Sequence, residues 1–191
     1  MTDFDGLLSE VRACRVCEAA LPLGPRPILQ MSPTARILIA SQAPGSKAHA
    51  SGIPFSDSSG DRLREWMGMS RGEFYDAGTI AIVPMGLCYP GRGRSGDAPP
   101  RPECAPLWRE RLLGAMPEIR LTLLVGSYAQ NYLLGPGALT ERVREFTAYL
   151  PDHFPLPHPS WRVTGWSRKN PWFEAEVLPA LRATIRRALA A

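Results

Sequence analysis

The stretch Arg36-Ile37-Leu38-Ile39-Ala40-Ser41-Gln42-Ala43-Pro44-Gly45 decides the fold of this chain. Its first half is an apolar run with no polar face, which reads as a strand over 36–42 covered on both sides. Its second half is a turn of small residues closing on Pro-Gly, where a ligand can come close to the backbone. Thr79-Ile80-Ala81-Ile82-Val83 and Leu121-Thr122-Leu123-Leu124-Val125 repeat the apolar pattern. A third segment, His153-Phe154-Pro155-Leu156-Pro157, reads as extended and leads into His158-Pro159-Ser160.

Helical patterns fall between these runs: 3–18, a segment around 61–67, 104–116, one from about 127, 139–149, and a basic one over 170–190. Residues 46–59 read as a polar loop, with Ser59 or Asp61 as the cap of the helix that follows. The segment after Val83 reads as a Pro/Gly-rich loop. Strands that alternate with helices and lack a polar face form a parallel sheet covered on both faces. In such sheets ligands bind beyond the carboxyl ends of the strands. The turn at 41–45, the loop after Val83 and the His158 loop all fall there.

The chain has 191 residues, enough for one domain over 1–191 with a sizeable core. Its 45% hydrophobic and 21% charged residues place it with ordinary globular proteins. No apolar run approaches the ~18 residues that span a bilayer. The acidic, amphipathic start is unlike a secretory signal, so a cytoplasmic location and no membrane partner are expected. Net charge is +4, which permits a polyanionic partner. The basic block from Arg162 to Arg187 is either such a contact or a solvated helix face.

Cys14-x2-Cys17, Cys88 and Cys104 are the only cysteines. In a reducing compartment they are not expected to form disulfides. Four thiolates suit tetrahedral zinc or an iron–sulfur cluster; the alternative is four unrelated thiols.

Together, Gln42-Ala43-Pro44-Gly45, Gly52-Ile53-Pro54-Phe55, His158-Pro159-Ser160 and the cysteine spacing resemble the uracil-DNA glycosylase superfamily, in particular its iron–sulfur branches. The resemblance runs from Cys14 to the C-terminal helix. It implies a three-layer α/β/α fold around a four-stranded parallel sheet. It also implies a monofunctional DNA glycosylase that cleaves the N-glycosidic bond of uracil or another deaminated base in DNA, leaving an abasic site. The implied partner is DNA, bound by a monomer, and the implied cofactor is a structural 4Fe–4S cluster on Cys14, Cys17, Cys88 and Cys104.

By the same resemblance His158 donates to the leaving base, and Phe55 stacks on it. Ser41, Gln42 and Ala43 line the base. Ser160, Trp161, Arg162 and Lys47 meet DNA, with Arg168 and Lys169 as less specific phosphate contacts. The pattern departs from the family at two places. No acid stands at 42 or 43, where the better-known branches carry Glu or Asp. Pro84 stands where related iron–sulfur members place a base-reading Asn. Asp57 is therefore the expected carboxylate, supplied from outside the turn, with Asp61 as its competitor. The base removed stays open. So do two other readings: a non-catalytic or covalent binder of damaged DNA, and a hydrolase of free nucleosides.

Overall fold

The computed structural model describes residues 3–190. Helix α1 (Phe4–Arg12) precedes an irregular crossing that enters strand β1 (Ile37–Ala40). Three helices follow: α2 (Ser46–Ser51), α3 (Ser58–Met67) and α4 (Arg71–Phe74). Strand β2 (Ile80–Ile82) leads to a small hairpin, β3 (Arg92–Gly93) and β4 (Gly96–Asp97). Helix α5 (Cys104–Gly114), strand β5 (Leu121–Val125), and helices α6 (Ser127–Leu134) and α7 (Leu139–Arg144) come next. Strand β6 (His153–Leu156), α8 (Val163–Lys169) and α9 (Leu178–Ala190) complete the chain.

The main sheet has the order β2-β1-β5-β6, and every pairing is parallel. Side chains alternate between its two faces, as a pleated strand requires. Ile37 and Ile39 join Leu63, Trp66, Phe173, Leu181 and Ile185 under α3 and α9. Leu38, Ala81 and Val83 join Val11, Trp108 and Leu112 under α1 and α5. All four residues of β1 are fully buried. This is why the run carries no polar face, and it makes the expected three-layer α/β/α architecture.

Several boundaries differ from the sequence expectation. The first strand stops at Ala40, because Ser41 and Gln42 turn their carbonyls to Met85 and Gly86, at 2.8 and 3.0 Å, rather than to a neighbouring strand. The expected loop over 46–59 holds α2, which begins after Gly45 and ends at Gly52 in the left-handed region (φ 75°). Neither Ser59 nor Asp61 caps α3. Asp57 does, its Oδ1 accepting from Gly60 N at 3.0 Å. The first helix ends at Arg12 rather than 18, and the 139–149 segment breaks after Arg144 into a single tight turn. The Pro/Gly-rich segment after β2 contains the β3–β4 hairpin.

The basic C-terminal segment splits in two. Arg182 is turned onto the last turn of α3, donating to Trp66 O and Glu65 O at 3.1 and 3.0 Å. Arg168 and Lys169, at the end of α8, are exposed. No helix of the described residues is long and apolar enough to cross a membrane.

Candidate active site

The carboxyl ends of β1, β2 and β6 open into a cleft of about 520 Å³. Its walls include Gln42, Pro44, Gly45, Phe55, Asp57 and His158. A larger groove of about 720 Å³ lies away from the strand ends, beside α1 and α4. That groove has no carboxylate, histidine or thiol on its walls. The strand-end cleft, which holds Asp57, Asp97 and His158, is the candidate site.

Each wall is held by backbone anchors. The first turn is tied to the loop after β2 through Ser41 O and Gln42 O. The side chain of Gln42 is committed as well, its Nε2 donating to Ala98 O at 2.9 Å. Ser41 is buried, and Ala43 is half-buried on the cleft wall.

Phe55 sits in a left-handed backbone conformation (φ 54°), which a bulky residue adopts only when its surroundings hold it there. Two contacts do so. Tyr75 Oη donates to Pro54 O and Phe55 O at 2.9 and 3.0 Å. Gly60 gives the Phe55 carbonyl room, since a Cβ at 60 would stand 1.8 Å from that oxygen. The Phe55 ring meets Phe74 edge-on, with centroids 6.3 Å apart, and keeps a face on the cleft.

Asp57 follows directly. One carboxylate oxygen caps α3 while Oδ2 points toward Gly45, 3.8 Å from where a Cβ on that glycine would lie. The competitor Asp61 is elsewhere: its side chain is mostly exposed and pairs with Arg64. The structure thus brings Asp57 into the cleft and leaves Asp61 outside it.

His158 rests on Gly126 at the end of β5, where a Cβ on the glycine would stand 3.3 Å from His158 Cβ. Gly126 lies at φ 86°, so both its backbone and its lack of a side chain seat the imidazole. Burial pushes the His158 pKa down, and the Asp57 charge opposes that. The imidazole is therefore neutral at neutral pH. Its loop is pinned by Arg62 of α3, which donates to Pro159 O and Ser160 O at 3.0 and 2.7 Å. Helix α3 thus fixes both Asp57 and the His158 loop. Arg62 was not singled out from the sequence, where it reads as one more charge on a helix.

Ser160, Trp161 and Arg162 form the rim. Trp161 is 75% exposed, the most exposed large hydrophobic side chain of the described residues. Arg162 stacks over it, Cζ 5.0 Å from a ring centroid, and donates to Ser95 O of the β3–β4 turn. Its guanidinium is thus partly committed within the chain. Lys47 is exposed at the start of α2. The cleft also holds a carboxylate that sequence reasoning missed, Asp97 of β4. Its strand is two residues long and has no periodicity to read.

The four cysteines come together. Cys14 and Cys17 after α1, Cys88 after β2, and Cys104 at the start of α5 line one small cavity of about 20 Å³. All four are free thiols. Leu87 N donates to Cys104 Sγ at 3.3 Å, and Cys17 Sγ lies 3.9 Å from Glu103 Oε2. Burial pushes the Cys104 pKa up to about 12, and the three other cysteines act in the same direction. Among the described residues no group of three or more His, Cys, Asp or Glu side chains is drawn in far enough to hold a metal ion. The donor set fits an all-thiolate group in kind, and its four thiols line one cavity with Pro25, Pro27 and Gly86 of irregular segments around it.

The sequence model of one protein family, described as the uracil DNA glycosylase superfamily, matches residues 29–182 of this chain. That span contains every residue of the cleft, together with Cys88 and Cys104. Cys14 and Cys17 lie before it.

Proposed function

We propose that this chain, which belongs to the uracil DNA glycosylase superfamily, hydrolyses the N-glycosidic bond of a deaminated base turned out of DNA. Members of the superfamily are in general glycosylases that act on damaged bases in DNA. The observation that carries the finer reading is the meeting of Asp57 and His158 in one strand-end cleft beneath an exposed Trp161.

The reaction needs the base out of the stack, because its glycosidic bond is inaccessible within it. Phe55 offers the flipped base a ring face, and Trp161 stands at the rim to fill the space it leaves. As the C1′–N bond breaks, its electron pair goes to the base, and His158 donates a hydrogen bond to the oxygen where that charge gathers. Asp57 Oδ2 takes a proton from the water whose oxygen bonds to C1′. The sugar keeps the hydroxyl, the base leaves and takes up a proton, and an abasic site remains. Gln42 cannot serve as the base, since its amide does not take up a proton at neutral pH. Lys47, Ser160, Arg168 and Lys169 are assigned to phosphates, so affinity should fall steeply with salt.

The test is a panel of oligonucleotides carrying uracil, hypoxanthine or xanthine, treated with alkali after incubation. Scission with at least one of them is expected. No scission at stoichiometric protein overturns the reading. A gel-shifted complex without base release would mean a non-catalytic binder of damaged DNA. An adduct surviving denaturation would mean a covalent one.

The same proposal assigns Cys14, Cys17, Cys88 and Cys104 to a 4Fe–4S cluster. The cluster would be structural, a cross-link between the α1 end, the loop after β2 and α5, and would supply no step of the reaction. Protein purified anaerobically is expected to be brown and to contain iron and sulfide in equal amounts. Cys88→Ser should remove the colour and lower stability by more than the ~0.5–3 kcal/mol of an ordinary point substitution, since loss of a bound metal group is among the causes of the largest effects. A colourless, iron-free anaerobic preparation defeats the assignment.

A further inference from the structure

We infer that Asp97 is a second carboxylate of this site and acts with Asp57 on one water molecule; the inference rests on the glycosylase reading above. The argument begins at Gly45. A Cβ built there would stand 3.4 Å from Asp97 Oδ2 and 3.8 Å from Asp57 Oδ2. The two oxygens therefore lie no more than about 7 Å apart, and one water bridges two oxygens at up to roughly 5.6 Å, two hydrogen bonds of about 2.8 Å end to end. Because residue 45 is glycine, no side chain fills the gap between them.

Asp97 is not a loose surface acid. It is paired in register with Arg92 across the hairpin. The residues around it are tied across the cleft. Arg162 donates to Ser95 O from the loop after β6, and Gln42 Nε2 donates to Ala98 O from the first turn. Ala98 N in turn donates to Gly91 O at 2.8 Å. The Gln42 side chain, which carries no acid of its own, thus helps set the position of one.

The charged and titratable groups facing Asp97 are Arg92 on β3, Tyr89 in the preceding loop, Asp57 at the head of α3, and Arg162 and His158 from the loop after β6. Partial burial raises the Asp97 pKa, Arg92 lowers it, and Asp57 raises it again. Asp97 as a residue is exposed, so solvent moderates these effects and only their direction is used.

The chemistry follows from that pair. Both carboxylates hold the water against C1′. As the water oxygen bonds to C1′ and the bond to the base breaks, one carboxylate takes the water's proton and later returns it to solvent. The other stays negative beside the cation-like sugar. The turn without an acid is thereby flanked by two.

The experiment compares wild type with Asp97→Asn, in the full chain, on the oligonucleotide cut best in the panel. Single-turnover base release is followed across pH and DNA binding is measured separately. Asp97→Asn should slow release by roughly 100-fold, the low end of a positioned acid–base group's contribution, with DNA affinity unchanged. A second arm needs no turnover: the Asp97 carboxyl is titrated by NMR in wild type and in Asp57→Asn, where its midpoint should fall. Wild-type rates of base release in Asp97→Asn overturn the inference alone. So does an Asp97 midpoint indifferent to Asp57→Asn. Failure of wild type to release any base defeats the glycosylase reading and the water's role with it, while the titration still reports whether the two carboxylates are coupled.

Discussion

Asp57→Asn is expected to slow base release by about 10²- to 10⁴-fold, the usual contribution of a general base, while leaving the melting temperature near that of wild type. The second half of this expectation comes from the double duty of the side chain. Asp57 Oδ1 caps α3 through Gly60 N, and Oδ2 faces the cleft. Asparagine is as good a cap as aspartate, and its side-chain oxygen can accept from the same N–H. What it lacks is an oxygen able to take a proton from water. The substitution therefore separates chemistry from structure. Asp57→Ala does not, because losing the cap costs about 1 kcal/mol in addition. Asp61→Asn is the matched control, since Asp61 lies outside the cleft and pairs with Arg64. A rate for Asp57→Asn within threefold of wild type, measured in single turnover with saturating protein, would remove Asp57 from the mechanism.

That double duty also shows why the sequence was only partly legible. The strands could be read because burial on both faces leaves an unbroken apolar run, as in Ile37–Ala40 and Leu121–Val125. His158 could be read as a site because it follows a strand that ends in the crevice. Asp57 was found as an acid near the turn, yet its capping role was not, because Ser59 and Asp61 looked equally suited to that role. Helix α2 was missed for a different reason. Its sequence, Ser46-Lys47-Ala48-His49-Ala50-Ser51, buries only Ala48, so it shows no helical period. The signal that would have found it is Gly52, the residue that closes the helix in the left-handed region. Asp97 left no signal of that kind. A two-residue strand has no alternation, and the reach to Gly45 depends on Arg162 and Gln42, which lie far from it in the chain. Tertiary contact made that carboxylate part of the cleft.

His158→Ala is expected to lower the rate constant for base release by about 10²- to 10³-fold, the cost of removing one donor from a developing oxyanion. Affinity for DNA should change little, because the hydrogen bond strengthens only as charge reaches the base. The pH behaviour follows from the burial of the ring. Its folded-state pKa lies below the free value of about 6.5, so the donor is already neutral above that pH. The rate ratio between wild type and His158→Ala should then stay constant from about pH 6.5 upward. The same shift has a consequence for stability. A histidine with a depressed folded-state pKa contributes stability that is fully present above about 6.5 and is lost as pH falls through the folded value. His158→Ala lacks this titration, so its unfolding free energy should fall less steeply in acid than that of wild type. Gly126→Ala offers an independent check on the same seat. Its methyl would stand 3.3 Å from His158 Cβ at a φ of 86°, so it should displace the imidazole and slow release without touching DNA. Base release within tenfold of wild type in His158→Ala, from protein with an unchanged circular dichroism spectrum, would mean that the leaving base is stabilised by another group.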